Sequence, residues 1–191
     1  MEIKFTKAPF EDETNVNRWP TWTAKYCDIF KVIDLKNQFV NQIIRHAPIV
    51  GDRKQVLIDV RTQFLEPGFY TTTPGWHLDT PNDPRSLHHL YIVGQHRTEF
   101  MSSGEIKTIP VGHYCTYDGN ALHRGVEVEV AEFRLFVRIQ EVDEFESEGK
   151  FKTLSHFYPT KFPVDEPVYF IDEKEYYQSF ADNQHLWSEN A

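Results

Sequence analysis

Between Phe133 and Ile139 the chain alternates with period two. Phe133, Leu135, Val137 and Ile139 fall on one side of an extended strand, and Arg134, Phe136 and Arg138 on the other. The aliphatic side needs a covering layer, so this strand belongs in a sheet packed against something else. The other side admits two readings. Two arginines on an otherwise apolar face belong either to a solvated surface, with Glu127, Glu129 or Glu132 as partners, or to an interior that requires fixed cations.

Similar runs recur through the middle of the chain. Strands are expected over 55–65, 68–73, 88–100, 105–109, 113–117, 122–130 and 132–142, with Ser103-Gly104 as a hairpin turn. Before them, Asp34 can cap a helix reaching His46, with Leu35, Phe39, Val40, Ile43 and Ile44 on one stripe and Pro48 as its stop. Residues 1–20 read as irregular, with Pro9 and Pro20 as breakers. A short terminal helix is expected over 172–180, after Pro159, Pro163 and Pro167. One helix, then seven or eight strands, then an irregular tail predicts a mainly-β chain of jelly-roll type. An open α+β sheet is the alternative.

The 191 residues suit one domain, with a barrel core over about 55–142, an N-terminal helical part over 1–50 and a C-terminal extension over 150–191. The aromatic content of 15% agrees with a strand-rich interior. The extension carries Tyr158, Phe162, Tyr169, Phe170, Tyr176, Tyr177 and Trp187, which suit packing on the barrel, covering its mouth or a dimer contact. A net charge of −9 argues against nucleic acid as a partner, although 85–97 is locally basic. No apolar run approaches the roughly 20 residues of a membrane span. Met1-Glu2-Ile3-Lys4-Phe5 lacks an apolar signal core, and Cys27 and Cys115 form no CxxC. Two free thiols in a cytoplasmic protein is the simplest expectation.

The chemistry concentrates in Pro74-Gly75-Trp76-His77-Leu78-Asp79. His77 and Asp79 are two apart, so on extended backbone they point to one side. Asp79 also suits an Asx-turn before Pro81. A third ligand has to come from a distant strand. His123 stands at the start of one, after the run from Pro110 to Leu122. Two imidazoles and one carboxylate form the facial set of non-haem Fe(II) oxygenases, with three positions left open. His88, His89 and His96 are competitors. Adjacent residues on a strand face opposite ways, so His88 and His89 cannot both join one site. His113, just after Gly112, reads as structural.

Arg134 follows His123 by eleven positions. The ordered set His77, Asp79, His123 and Arg134 resembles the Fe(II)/2-oxoglutarate-dependent dioxygenase superfamily. Trp76-His77-Leu78-Asp79 is similar to the WHxD form of its phytanoyl-CoA-dioxygenase-like members, and the resemblance covers roughly 55–142. It implies a double-stranded β-helix, cupin-like in shape, with an N-terminal helix packed on one sheet. It also implies Fe(II) on His77, Asp79 and His123, and 2-oxoglutarate with its far carboxylate on Arg134. A guanidinium suits that role because it stays protonated and binds carboxylates bidentately.

The expected reaction is hydroxylation of a small-molecule or peptide-like substrate, with release of succinate and CO2. The presence of Asp79 separates the chain from related halogenases, which lack the carboxylate ligand. Many members carry Ser or Thr two residues after the oxoglutarate arginine. Here Phe136 stands there, and Tyr91 or Tyr70 is expected to supply the missing hydroxyl. Arg138 reads either as a grip for a substrate anion or as a structural ion pair. Trp76 reads as packing or as substrate stacking, and Arg124 as part of the mouth, with Arg85 and Arg97, or as a solvated loop residue. Two other functions fit the same barrel: a cupin-like ligand-binding module without oxidative activity, and a hydrolase or isomerase using Zn2+. The usual cupin HxH spacing is absent.

Overall fold

A computed structural model of the chain describes residues 3–12, 23–28, 38–79, 85–143 and 158–159. The expected helix cap at Asp34, the loop 80–84, the terminal helix and nearly all of the C-terminal extension lie outside the described residues. In chain order the elements are β1 (Lys4–Lys7), β2 (Thr23–Asp28), α1 (Gln38–Arg45), β3 (Gln55–Leu65), β4 (Phe69–Tyr70), β5 (Leu87–Val93), β6 (Glu99–Ser102), β7 (Glu105–Thr108), β8 (His113–Asp118), β9 (His123–Arg124), β10 (Glu132–Val142) and β11 (Tyr158–Pro159).

The described chain is mainly β, and its strands pair antiparallel in the manner of a β-sandwich. A large sheet runs in the order β1-β8-β5-β10-β3-β2. A smaller layer holds β7-β6-β9 and the pair β11-β4. Isolated bridges Tyr70 to Glu127 and His77 to His123 continue that layer between its strands.

The centre of the large sheet is β10, with β3 on one side and β5 on the other. Its alternation sorts the two faces. Leu135, Val137 and Ile139 join Val56, Ile58, Val60, Tyr91 and Tyr114 in one apolar cluster. Phe39, Val40 and Ile43 of α1 belong to that same cluster, so the helix covers this face. The Tyr114 hydroxyl donates to the Ile43 carbonyl at 2.7 Å, satisfying one of the acceptors a helix end leaves open. The opposite face carries Arg134, Phe136, Arg138 and Gln140, with Leu90, Ile92, Cys115, Tyr117 and Ile3 close by in sequence register. Phe100 and Ala121 share a second cluster with these apolar groups.

Two expectations change. Residues 1–20 are not wholly irregular, and the N-terminal part is not purely helical. Lys4–Lys7 pairs with β8 and Thr23–Asp28 with β3, so both edges of the large sheet come from the N-terminal part. Ile3 is buried in the Phe136 cluster and Phe5 packs against it, which is what anchors so short a strand. The expected run 88–100 is also two strands. Gly94 adopts a φ of 143°, and the Glu132 carboxylate accepts the amides of Gln95 at 2.5 Å and His96 at 3.0 Å. That turn breaks the ladder between β5 and β6. The Ser103-Gly104 hairpin forms as expected, with both residues at positive φ (53° and 80°), the requirement of a type I′ turn.

Close approach within the small layer makes one glycine indispensable. The Gly125 amide donates to the Thr73 carbonyl at 2.6 Å. A Cβ at Gly125 would lie 2.4 Å from the Thr72 carbonyl oxygen, against backbone that cannot swing aside. Gly125→Ala is therefore expected to cost about 1–3 kcal/mol of stability, the usual range for overpacking. Chemical denaturation checks this, and an unchanged midpoint would contradict the packing described. Among the described residues no helix is long and apolar enough to cross a membrane.

Candidate metal centre

His77 and His123 face one another across the small layer. The His77 amide donates to the His123 carbonyl at 2.9 Å, and the His123 amide donates back at 3.1 Å. Residues paired this way project their side chains to one side, and the ring centroids stand 4.4 Å apart. Each ring is fixed by its own loop. His77 Nδ1 lies 2.8 Å from the Gly75 carbonyl, and His123 Nδ1 lies 2.9 Å from the Ala121 carbonyl. A carbonyl only accepts, so both Nδ1 atoms carry the proton and both Nε2 lone pairs are left to bind a metal.

Asp79 completes the set. Its Oδ2 lies 3.3 Å from His123 Nε2, and one ligand atom from each of His77, Asp79 and His123 lies within 4.8 Å of the others. This triad can hold a metal ion. Burial, then the neighbouring His123, lowers the pKa of His77 and favours the neutral imidazole that ligates. Burial works against ionisation of Asp79, but Arg138 and His123 outweigh it and hold the carboxyl well below its usual range.

Several side chains from the large sheet converge on that carboxylate. Arg138 Nη1 donates to Asp79 Oδ2 at 2.6 Å, and the Tyr117 hydroxyl donates to the same oxygen at 3.0 Å. His88 Nδ1 stands 3.8 Å away. His88 is a neighbour and not a ligand. Its Nε2 meets Ser86 Oγ at 3.1 Å, its Nδ1 accepts from the Gln140 amide at 3.3 Å, and its ring stacks on Tyr117. Burial, followed by Arg138, pushes it down to about 3, so it stays neutral. His89 faces the helix side, bonded to Thr116 and Glu141, and His96 is held by Glu132, so neither reaches the triad. His113 donates to the Val111 carbonyl.

Arg134 differs from every other arginine on this face. It is 1% exposed. Its Nη1 donates to the Thr71 carbonyl at 3.1 Å, while Nε and Nη2 have no hydrogen-bond partner among the described residues. Burial pushes its pKa down to about 9, which still leaves it protonated at neutral pH. Glu132 on the same strand face offsets part of that cost at a distance, but a buried cation with two unused donors is still costly unless an anion binds there. Phe136 lies between Arg134 and Arg138 on the strand, with its ring 5.4 Å and 5.9 Å from their guanidinium carbons and 4.9 Å from that of Arg61.

Four expected site residues sit elsewhere or are otherwise engaged. Tyr91 pairs with Val137, so it lies on the helix-covered face, and its hydroxyl donates to Asp12. It cannot reach Arg134 through the sheet. Trp76 and Arg124 neighbour the two ligands along their strands, so alternation turns them to the far side of the small layer. There the Arg124 guanidinium covers the Trp76 ring at 4.6 Å and pairs with Glu99 at 2.8 Å. They pack together behind the His77–His123 pair, on the side away from the triad. Arg138 is engaged by Asp59 and Asp79, which favours the ion-pair reading over an open grip. Tyr70 is half-buried on the strand that leads to Thr71, whose carbonyl receives Arg134.

Tyr117, Gln140 and Asp59 are not marked in the sequence because none belongs to a motif, and His88, there a competitor for the metal, takes a supporting place instead. For Asp59 a signal exists: it interrupts the otherwise apolar stretch from Val56 to Val60 and shares one side of the strand with Arg61. Comparison of the sequence with protein-family models and with characterised proteins finds no match. What the site can do follows from its own geometry.

Proposed function

We propose that this protein is an Fe(II)- and 2-oxoglutarate-dependent dioxygenase, a single domain built on a double-stranded β-helix. The observation that carries the proposal is Arg134. Its buried guanidinium, with two unused donors, stands on the same strand face as Arg138, which touches the metal-binding carboxylate. A metal triad alone fits many reactions. A triad joined through one strand face to a buried cation with unused donors fits a dicarboxylate that also binds the metal.

When bound, iron and 2-oxoglutarate supply the oxidising chemistry, in which dioxygen cleaves the cosubstrate to succinate and CO2 and hydroxylates the substrate. The chain supplies position and dryness. His77, Asp79 and His123 hold Fe(II) from one side and leave the other open. Arg134 binds the far carboxylate, and Phe136 gives the pocket an apolar surface between its two polar ends. Phe100, Ile92, Leu90 and Ala121 exclude water around the reacting centre. The substrate is a small molecule or a peptide-like chain.

Anaerobic addition of Fe(II) and 2-oxoglutarate is expected to give a weak visible charge-transfer band, and admission of oxygen to give succinate. Protein that takes up no Fe(II) points instead to a cupin-like binding module. Protein that takes up Zn2+ and gains hydrolytic activity, with no response to 2-oxoglutarate, points to a zinc enzyme on the same barrel. Either result overturns the proposal.

A further inference from the structure

Among the described residues the backbone of Asp79 joins no strand or bridge, whereas His77 and His123 are fixed by pairing with each other. The large sheet holds the Asp79 side chain from the opposite layer. Arg138 uses two different nitrogens to bridge two carboxylates: Nη1 to Asp79 Oδ2 at 2.6 Å and Nη2 to Asp59 Oδ2 at 3.2 Å. Asp59 is opposite Arg138 in the β3–β10 register and is wholly buried, at 0% exposure. It is anchored in turn by Arg61, through Nε at 3.1 Å and Nη2 at 2.6 Å. A carboxylate with this many donors has little freedom to rotate, and neither has the guanidinium it holds.

The geometry points to Asp59 and Arg138 as positioning residues for the metal. The chain Arg61–Asp59–Arg138–Asp79 carries the rigidity of the central strand pair to the ligand that, among the described residues, has no paired backbone. Two consequences follow. Asp59, which touches no ligand, tunes metal affinity. Arg138 also holds one carboxylate oxygen by a charge-assisted bond, and so limits how Asp79 coordinates and keeps the open side of the metal open. The inference rests on the metal reading of the triad and not on the cosubstrate.

Co(II) alone is the probe, added anaerobically to the full chain, with affinity from titration, coordination from the visible ligand-field spectrum and stability from unfolding of the metal-free protein. Asp59→Asn keeps the shape and removes the anchor charge. Arg138→Lys keeps a cation opposite Asp59 and removes the bridge, which protects the fold. Both are expected to weaken Co(II) binding about tenfold to a hundredfold and to alter the spectrum. Glu141→Gln weakens the buried hydrogen bonds that Glu141 accepts from His89 and from the Val50 and Gly51 amides on the other face of the same strand, and is expected to lower stability while leaving affinity and spectrum unchanged. Wild-type affinity and spectrum in both Asp59→Asn and Arg138→Lys would overturn the inference. So would equal losses in Glu141→Gln, which would make the effect one of general stability. Wild-type protein that binds no Co(II) would overturn the metal reading itself.

Discussion

A His123→Ala variant is expected to lose Fe(II) uptake and, with it, all iron-dependent succinate formation. The expectation follows from how the ligand is held. His123 offers Nε2 because Ala121 engages Nδ1, and its ring stands 4.4 Å from His77. Removing it leaves one imidazole and one carboxylate, too few for tight binding of a divalent ion in water. The fold should survive, since the bridge to His77 is made by backbone groups that the substitution keeps. Some stability is lost where the ring packs on Phe100 and Tyr117. Equilibrium dialysis against Fe(II) under anaerobic conditions measures the loss. His88→Ala is the control, because His88 is tied to Ser86 and Gln140 and is not a ligand. Stoichiometric iron in His123→Ala, or none in His88→Ala, would show that the ligand set is wrong.

Arg134→Leu is expected to act in the opposite sense on binding and on stability. Loss of a buried charge-assisted contact typically costs about 2–5 kcal/mol, so 2-oxoglutarate should bind about 30-fold to a few thousandfold more weakly. Fe(II) affinity should not change, since Arg134 touches none of the three ligands. The ligand-free protein should be as stable as the wild type or more so. At neutral pH the wild-type chain buries a cation with two unused donors, and an aliphatic side chain of similar volume removes that penalty. Isothermal titration of the iron-loaded protein with 2-oxoglutarate, beside thermal unfolding of the metal-free protein, separates the two effects. Normal 2-oxoglutarate affinity in the variant would remove the main support for the dioxygenase reading. A large loss of stability would mean that Arg134 is structural.

Much of the site is legible in the sequence because Arg134 lies on a long alternating strand and His77 and Asp79 stand two apart in one short motif. β3 and β10 begin and end where alternation and β-branched content say they should. The arginine face of β10 does turn away from the helix, and the aliphatic face does meet it. The failures have a common physical source. Local pattern gives the two sides of a strand but not which side meets the site, and Tyr91, expected beside Arg134, faces the helix instead. Its face is set by pairing with Val137, a partner 46 positions away (137 − 91). The break after β5 depends on Glu132, which captures amides of residues far behind it in the chain. The strand Lys4–Lys7 is too short to declare itself, and forms because β8 offers an open edge. Trp76 and Arg124 sit next to ligands in sequence and yet behind them in space, which adjacency alone conceals.

The reciprocal amide pairing of His77 with His123 also sets when the centre can exist. The two ligands are separated by 46 positions (123 − 77), and their register depends on that contact. Closing a loop of this length comes late relative to hairpins such as β6–β7, because its entropy is lost before the contact is gained. The third ligand adds a further condition, since Asp79 is steadied only when the large sheet is already in place. A nascent chain therefore offers an ion scattered single donors and no chelate. Metal loading would then be a test of completed folding, and an ion on the triad would stabilise the pairing of the His77 and His123 segments by mass action.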